Sequence, residues 1–318
     1  MMAVVVDASA PGVESSRSSS AVSLGIYEKA LRNPRSPRDW DRFFAEAAGA
    51  GFSFVDLSVD ETPSRRARLA WPASLRRQVR DSAAHAGVRL GGLCLSAHRG
   101  IGPGSADPAV RAEAAAIYRD GIRLAHDLGM SVLQVVGYYA YYEEPDQGQR
   151  RRWVDVLAQA VALAAREGVI LGIENVDGHD ITSIGAAMRV VEEIGSPWLQ
   201  LYPDIGNLAE QQLDTRAELA VGAGRMVALH VKDVRVGEPR RVPFGEGIAQ
   251  FDVAFSELAR QDWCGRLMLE MWNDDADDSA VVAARSRDLV ALWLADAGIP
   301  VVHDERRRPR RTVRSDDA

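Results

Sequence analysis

The chain has 318 residues, 47% of them hydrophobic, and a formal charge of −7 at pH 7. Its length fits one large domain or two ordinary ones, its acidic balance argues against a general polyanion binder, and no apolar run approaches the ~18–20 residues of a membrane span. Lysine occurs only at Lys29 and Lys232, and with the many alanines this reads as compositional bias toward arginine.

In chain order, residues 1–22 are rich in Ser, with one Gly and one Pro, and lack a basic n-region, so they read as a disordered extension rather than a signal peptide. Short apolar runs then recur at even spacing: "SLGIY", "FSFVDLSV", "LGGLCLS", "SVLQVVGY", "ILGIENV", "LQLYPDI", "MVALHVKD" and "RLMLEMW". Such runs are what parallel strands buried on both faces look like. Helical stretches lie between them. In one, Asp107 is the expected N-cap, Pro108 the first helical residue and Gly129 the stop; another stops at Gly168. Eight βα units in this length predict an α/β fold, a single (β/α)8 TIM barrel over residues 23–298. A doubly wound sheet is the rival, but no GxGxxG follows the first strand. Residues 299–318 end in "ERRRPRRTVRSDDA", a basic, solvated and disordered tail without the interleaved aromatics of a nucleic-acid binder. Cys94 and Cys264 form no CxxC pair, as expected of reduced thiols in a cytoplasmic protein.

Function in such a barrel collects at the carboxyl ends of the strands. Four consecutive strands carry a polar group there: Glu174 in "GIENVD", Asp204 in "YPDIGN", His230 in "ALHVKD" and Glu270 in "LEMW". Each alone has an ordinary explanation, such as a turn aspartate, a core histidine or an arginine-paired glutamate. Together, three carboxylates and an imidazole suit one divalent ion: Mn²⁺, Mg²⁺, Co²⁺ or a Zn²⁺ with open positions. Carboxylates converging without a cation would repel one another. A metal gripping two neighbouring oxygens of a hydroxyketone acts as a Lewis acid toward an enediolate. Two carboxylates flanking the carbon, Glu174 and Glu270, would then remove and return its proton.

The loops add further candidates. "LCLSAHRG" carries His98, taken as a substrate contact, and Arg99; "DVRVGEPRRVPFGEG" carries Arg240 and Arg241; "YYAYYEE" offers an aromatic wall. The arginines suit a phosphate or sugar hydroxyls, and the aromatic run suits a packed rim equally well.

The segments "LGIYEKAL", "FVDLSVDE", "CLSAHR", "YYEE", "YPDIGNL", "LHVKD", "VPFGEG" and "LEMW" together resemble the L-ribulose-5-phosphate (L-xylulose-5-phosphate) 3-epimerases, a group within the xylose isomerase-like TIM barrels. The resemblance runs from Ser23 to Trp272. It implies that Glu174, Asp204, His230 and Glu270 bind one divalent metal ion. It also implies that Glu174 and Glu270 exchange the C3 proton of a ketose phosphate, and that Asn207 and Arg240 touch the sugar or sugar phosphate. A homodimer or homotetramer is expected, with no membrane and no nucleic-acid partner. "GIGPGS" after "SAHR", "NVDGHDITS" and Pro145 depart from the family pattern beside the substrate and leave the sugar open. The alternatives are an aldose–ketose isomerase, an epimerase of free ketoses, and an inosose dehydratase-like lyase. An endonuclease IV-type repair enzyme would need more histidines than the six here and a basic face.

Overall fold

The computed structural model describes residues 21–302. The two terminal extensions expected from composition therefore lie mostly outside the described residues. Eight parallel strands form one sheet: β1 (Val22–Tyr27), β2 (Phe54–Val59), β3 (Arg89–Leu95), β4 (Val132–Val136), β5 (Ile170–Glu174), β6 (Leu199–Leu201), β7 (Leu229–Val231) and β8 (Gly265–Leu269). Among the described residues ten α-helices surround it: α1 (Asp39–Gly49), α2 (Pro63–Arg66), α3 (Ala73–Ala86), α4 (Pro108–Leu128), α5 (Gln149–Glu167), α6 (Ile184–Ile194), α7 (Ile205–Glu210), α8 (Thr215–Val221), α9 (Phe251–Arg260) and α10 (Ser279–Asp296). The sheet order is β6-β5-β4-β3-β2-β1-β8-β7. The ring closes between β6 and β7 through isolated bridges, Leu201 to Met226 and Asp204 to His230.

The predicted helix ends are found where the caps place them. The Asp107 carboxylate accepts from Ala109 N at 2.8 Å, and α4 and α5 stop at Gly129 and Gly168, both left-handed at φ 73° and 70°. Strands six and seven are shorter than their apolar runs. Pro203 has no N–H for a ladder, and Asp204 leaves the strand to cap α7, accepting from Asn207 N at 3.0 Å. At the other boundary, residues 299–302 differ from the disordered tail expected of them. Val22 N donates to Pro300 O at 3.0 Å and Val302 N to Val22 O at 2.8 Å, so this stretch lies beside β1.

Both faces of the strands are buried, one against the helices and one inside the barrel. Phe54 and Met268 pack inside the barrel in one cluster with Tyr27 and Cys94, and the latter two also line the cavity at the carboxyl ends of the strands. A Cβ on Gly25 would sit 2.1 Å from the Phe54 ring, so only glycine fits there. Above this layer the interior turns polar. Tyr202 donates to Asp56 Oδ2 at 2.6 Å and Tyr27 to Ser58 Oγ at 3.0 Å. The apolar floor and polar upper layer leave one end of the barrel for chemistry.

Candidate active site

Glu174 is the last residue of β5, Asp204 caps α7, His230 sits within β7, and Glu270 follows β8 directly. Parallel strands aim all four at one end of the barrel, and one ligand atom from each lies within 4.8 Å of every other. His230 Nδ1 is 2.9 Å from Glu174 Oε1, 3.7 Å from Glu270 Oε2 and 4.0 Å from Asp204 Oδ2. The bridge that closes the barrel joins two of the four, Asp204 and His230.

A second layer holds these groups still. Gln134 on β4 donates to Glu174 Oε2. Asp204 N donates to Asn175 Oδ1 at 2.9 Å, while Asn175 Nδ2 donates to Asp204 O at 3.0 Å. Asn207 Nδ2 donates to Asn175 O at 2.9 Å, and Lys232 Nζ donates to Asn207 Oδ1 at 2.8 Å. Lys232 Nζ also lies 2.7 Å from Asp204 Oδ2 and 3.5 Å from Glu270 Oε2. Below Lys232, Asp233 gathers the loop after β7, accepting from Gly245 N at 2.9 Å and Gly247 N at 3.0 Å. A Cβ on Gly247 would fall 2.0 Å from Asp233 Oδ1, which is why the sequence reads "GEG" there.

The electrostatics are those of a crowded anionic site. Burial pushes the His230 imidazole down, but Glu270, Glu174 and Asp204 outweigh it and raise its pKa to about 9. Burial also opposes the Lys232 ammonium; Asp204, Glu270 and Glu174 hold its pKa above the ordinary lysine value. Asp204 is shifted upward by burial, against the pull of Lys232. Despite Lys232 nearby, Asp204 Oδ2 and Glu270 Oε2 are buried without a hydrogen bond of good geometry. Such oxygens are costly unless something binds them. The donor set, three carboxylates and one imidazole, fits a divalent cation.

Glu174, His230 and Glu270 line a cavity of about 280 Å³, and Asp204 is fully buried beside them. That is small beside typical ligand pockets of about 300–1,000 Å³, so it suits a compact polar molecule. Asn207 and Arg240 line it. Arg240 pairs with Asp177 at 2.8 Å and lies over the Trp272 ring. Asp177 also accepts from Tyr138. Burial raises its carboxyl, but Arg240 and that bond bring its pKa below the usual value. Of the aromatic run, Tyr138 reaches the cavity, whereas Tyr139 packs on Trp153.

His98 is placed differently from the expectation. It is fully buried, its Nε2–H donates to Ala114 O at 3.0 Å, and its ring packs 4.0 Å from Tyr118. It does not line the cavity; its neighbour Arg99 does. "SAHR" forms a 3-10 turn that sends His98 toward α4 and Arg99 inward, over the Tyr141 ring at 4.1 Å. Lys232, Gln134, Asp177 and Lys29 also line the cavity and were not singled out as site residues from sequence.

The xylose isomerase-like TIM barrel model matches residues 44–294. L-ribulose-5-phosphate 3-epimerase UlaE of Escherichia coli K12 is 41% identical over 281 residues, covering 88% of this chain and 98% of that one. The chain belongs to this family. As a member of the xylose isomerase-like barrels on the 3-epimerase branch, it is an isomerase of the carbohydrate epimerase class. Its fold is shared with solved structures of lower identity. A structure of L-ribulose 3-epimerase superposes with a TM-score of 0.73 at 20% identity, over 87% of this chain and 96% of that one. D-psicose 3-epimerase from Clostridium cellulolyticum H10 gives 0.72 at 16% identity, over 86% and 99%. Among the described residues, no helix is long and apolar enough to cross a membrane.

Proposed function

We propose that the protein is a divalent-metal-dependent 3-epimerase interconverting L-ribulose 5-phosphate and L-xylulose 5-phosphate. The observation that carries this reading is the meeting of Glu174, Asp204, His230 and Glu270 in one cluster, three of whose members, Glu174, His230 and Glu270, line a small cavity. These four residues would hold the ion, which when bound supplies Lewis acidity toward the sugar's carbonyl and neighbouring hydroxyl. Glu174 and Glu270 reach the cavity from strands separated by β6 and β7. One carboxylate takes the C3 proton and the other delivers one to the opposite face, which inverts the carbon. Gln134 keeps Glu174 in place, and Lys232 stands beside Glu270.

The far side of the cavity supports a phosphorylated substrate. Lys29 is paired with Asp60 at 2.5 Å and Arg240 with Asp177. Arg99 has no carboxylate partner among the described residues, and its Nε is buried without a hydrogen bond. A guanidinium in that state offers charge and paired donors to a phosphate.

The test is incubation of Mn²⁺-loaded protein with L-ribulose 5-phosphate in heavy water. Deuterium at C3 together with xylulose phosphate is the expected result. Exchange at C1 would indicate aldose–ketose isomerisation, and loss of water a lyase. Comparison of kcat/KM for L-ribulose 5-phosphate and L-ribulose then decides on the phosphate; a preference for the free sugar would move the substrate to unphosphorylated ketoses.

A further inference from the structure

The chain has 38 lysines and arginines, of which only Lys29 and Lys232 are lysine, and both line the same cavity. Compositional bias accounts for the arginines elsewhere. It does not account for the survival of lysine at two cavity positions. An ammonium is a compact charge with three donors around one nitrogen, whereas a guanidinium is a planar fork. Lys232 uses that shape. Its Nζ has three acceptor groups around it: Asn207 Oδ1 at 2.8 Å, Asp204 Oδ2 at 2.7 Å and Glu270 Oε2 at 3.5 Å.

Two of those groups belong to the cluster assigned above to the metal. Lys232 is not needed to orient Asp204. The carboxylate's other oxygen is fixed by Asn207 N at 3.0 Å, and the Asp204 backbone is fixed twice by Asn175. What Lys232 adds is charge. Three carboxylates, one ammonium and one divalent ion sum to zero with His230 neutral. Without the ammonium the loaded site would carry one net negative charge. Lys232 is 3% exposed, so screening by solvent and salt is weak and its repulsion of a bound cation is strongly felt.

We propose that Lys232 sets the charge of the metal site and so limits its affinity for a divalent cation, while its ammonium offsets the carboxylates of Asp204 and Glu270. The inference rests on the metal reading of the previous subsection. An ion held less tightly stays more electron-poor toward substrate oxygens. The same ammonium relieves the repulsion among the three carboxylates when no ion is bound.

The experiment is a chelator-competition titration of Mn²⁺ into metal-free wild type, Lys232→Met and Lys232→Gln, with thermal unfolding of each protein with and without Mn²⁺. Lys232→Gln keeps a polar side chain at this position and removes the charge. Both variants are expected to bind Mn²⁺ at least tenfold more tightly than wild type and to show a larger Mn²⁺-induced rise in Tm. A merely structural lysine would give weaker binding. Should Lys232→Met fail to fold, Lys232→Gln gives the same reading. Affinity in Lys232→Gln equal to or weaker than wild type overturns the proposal while the metal site stands. Wild type that binds neither Mn²⁺ nor Zn²⁺ overturns the metal reading itself.

Discussion

Asn175 and Asp204 bond each other twice, side chain to backbone in both directions, at 2.9 and 3.0 Å. The pair ties the end of β5 to the segment where β6 gives way to α7, beside the weakest seam of the barrel. Asp204 therefore depends on a neighbour that touches no candidate ligand atom. Asn175→Ala is expected to lower Mn²⁺ affinity by about 10–100-fold, the usual cost of losing a group that orients a ligand. The variant should still fold, because Asn207 N continues to hold the carboxylate. Isothermal titration with Mn²⁺, beside a circular-dichroism melt, checks both halves; unchanged affinity would count against this role for Asn175.

Glu270 interrupts an apolar run, and that mismatch made it legible from sequence. Its neighbours Leu267 and Met268 are buried in the barrel wall while its carboxylate faces the cavity. The same reasoning located Glu174, Asp204 and His230, because a polar residue closing a buried strand needs a reason. Where a turn decides orientation, periodicity is silent. His98 and Arg99 are adjacent, and the 3-10 turn over Ser96–Arg99 points one into the core and the other into the cavity. The apolar run at β6 likewise continues past the last ladder bond into Pro203 and the Asp204 cap, where its pattern marks no strand end. Lys232 was visible as a rarity, but composition alone gave no reason to place it beside Asp204.

Glu270→Gln removes the proton acceptor and keeps the shape. Turnover of L-ribulose 5-phosphate should fall by about 10²–10⁴-fold, the range for loss of a general base. Mn²⁺ content after dialysis should fall with it, since one anionic ligand is gone. Turnover within threefold of wild type at full metal loading would eliminate the two-glutamate exchange.

Arg99 stands over Tyr141 with no carboxylate paired to it among the described residues. If it meets the phosphate, Arg99→Ala loses one charge-assisted contact, worth about 1.5–3 kcal/mol. KM for L-ribulose 5-phosphate should then rise by roughly tenfold to a hundredfold. KM for unphosphorylated L-ribulose should change little. Steady-state kinetics on both sugars separate this from general damage, which would affect them equally.

His98 supplies a pH-dependent term in stability. Burial pushes its pKa down to about 4, with the hydrogen bond to Ala114 O opposing and Arg66 adding to the shift. The folded state thus disfavours the imidazolium relative to the unfolded chain, whose histidine titrates near 6.5. Above that pH neither state carries the proton and the term vanishes. As pH falls from about 6.5 to about 4, the unfolded chain binds the proton first, and stability is lost through that window. Below it the loss levels off at about 3 kcal/mol. Urea unfolding of wild type and His98→Gln between pH 7 and 4 isolates the contribution. The stability difference between the two proteins should shift against wild type as the solution is acidified, and a difference constant across that range would show that His98 does not titrate in the core.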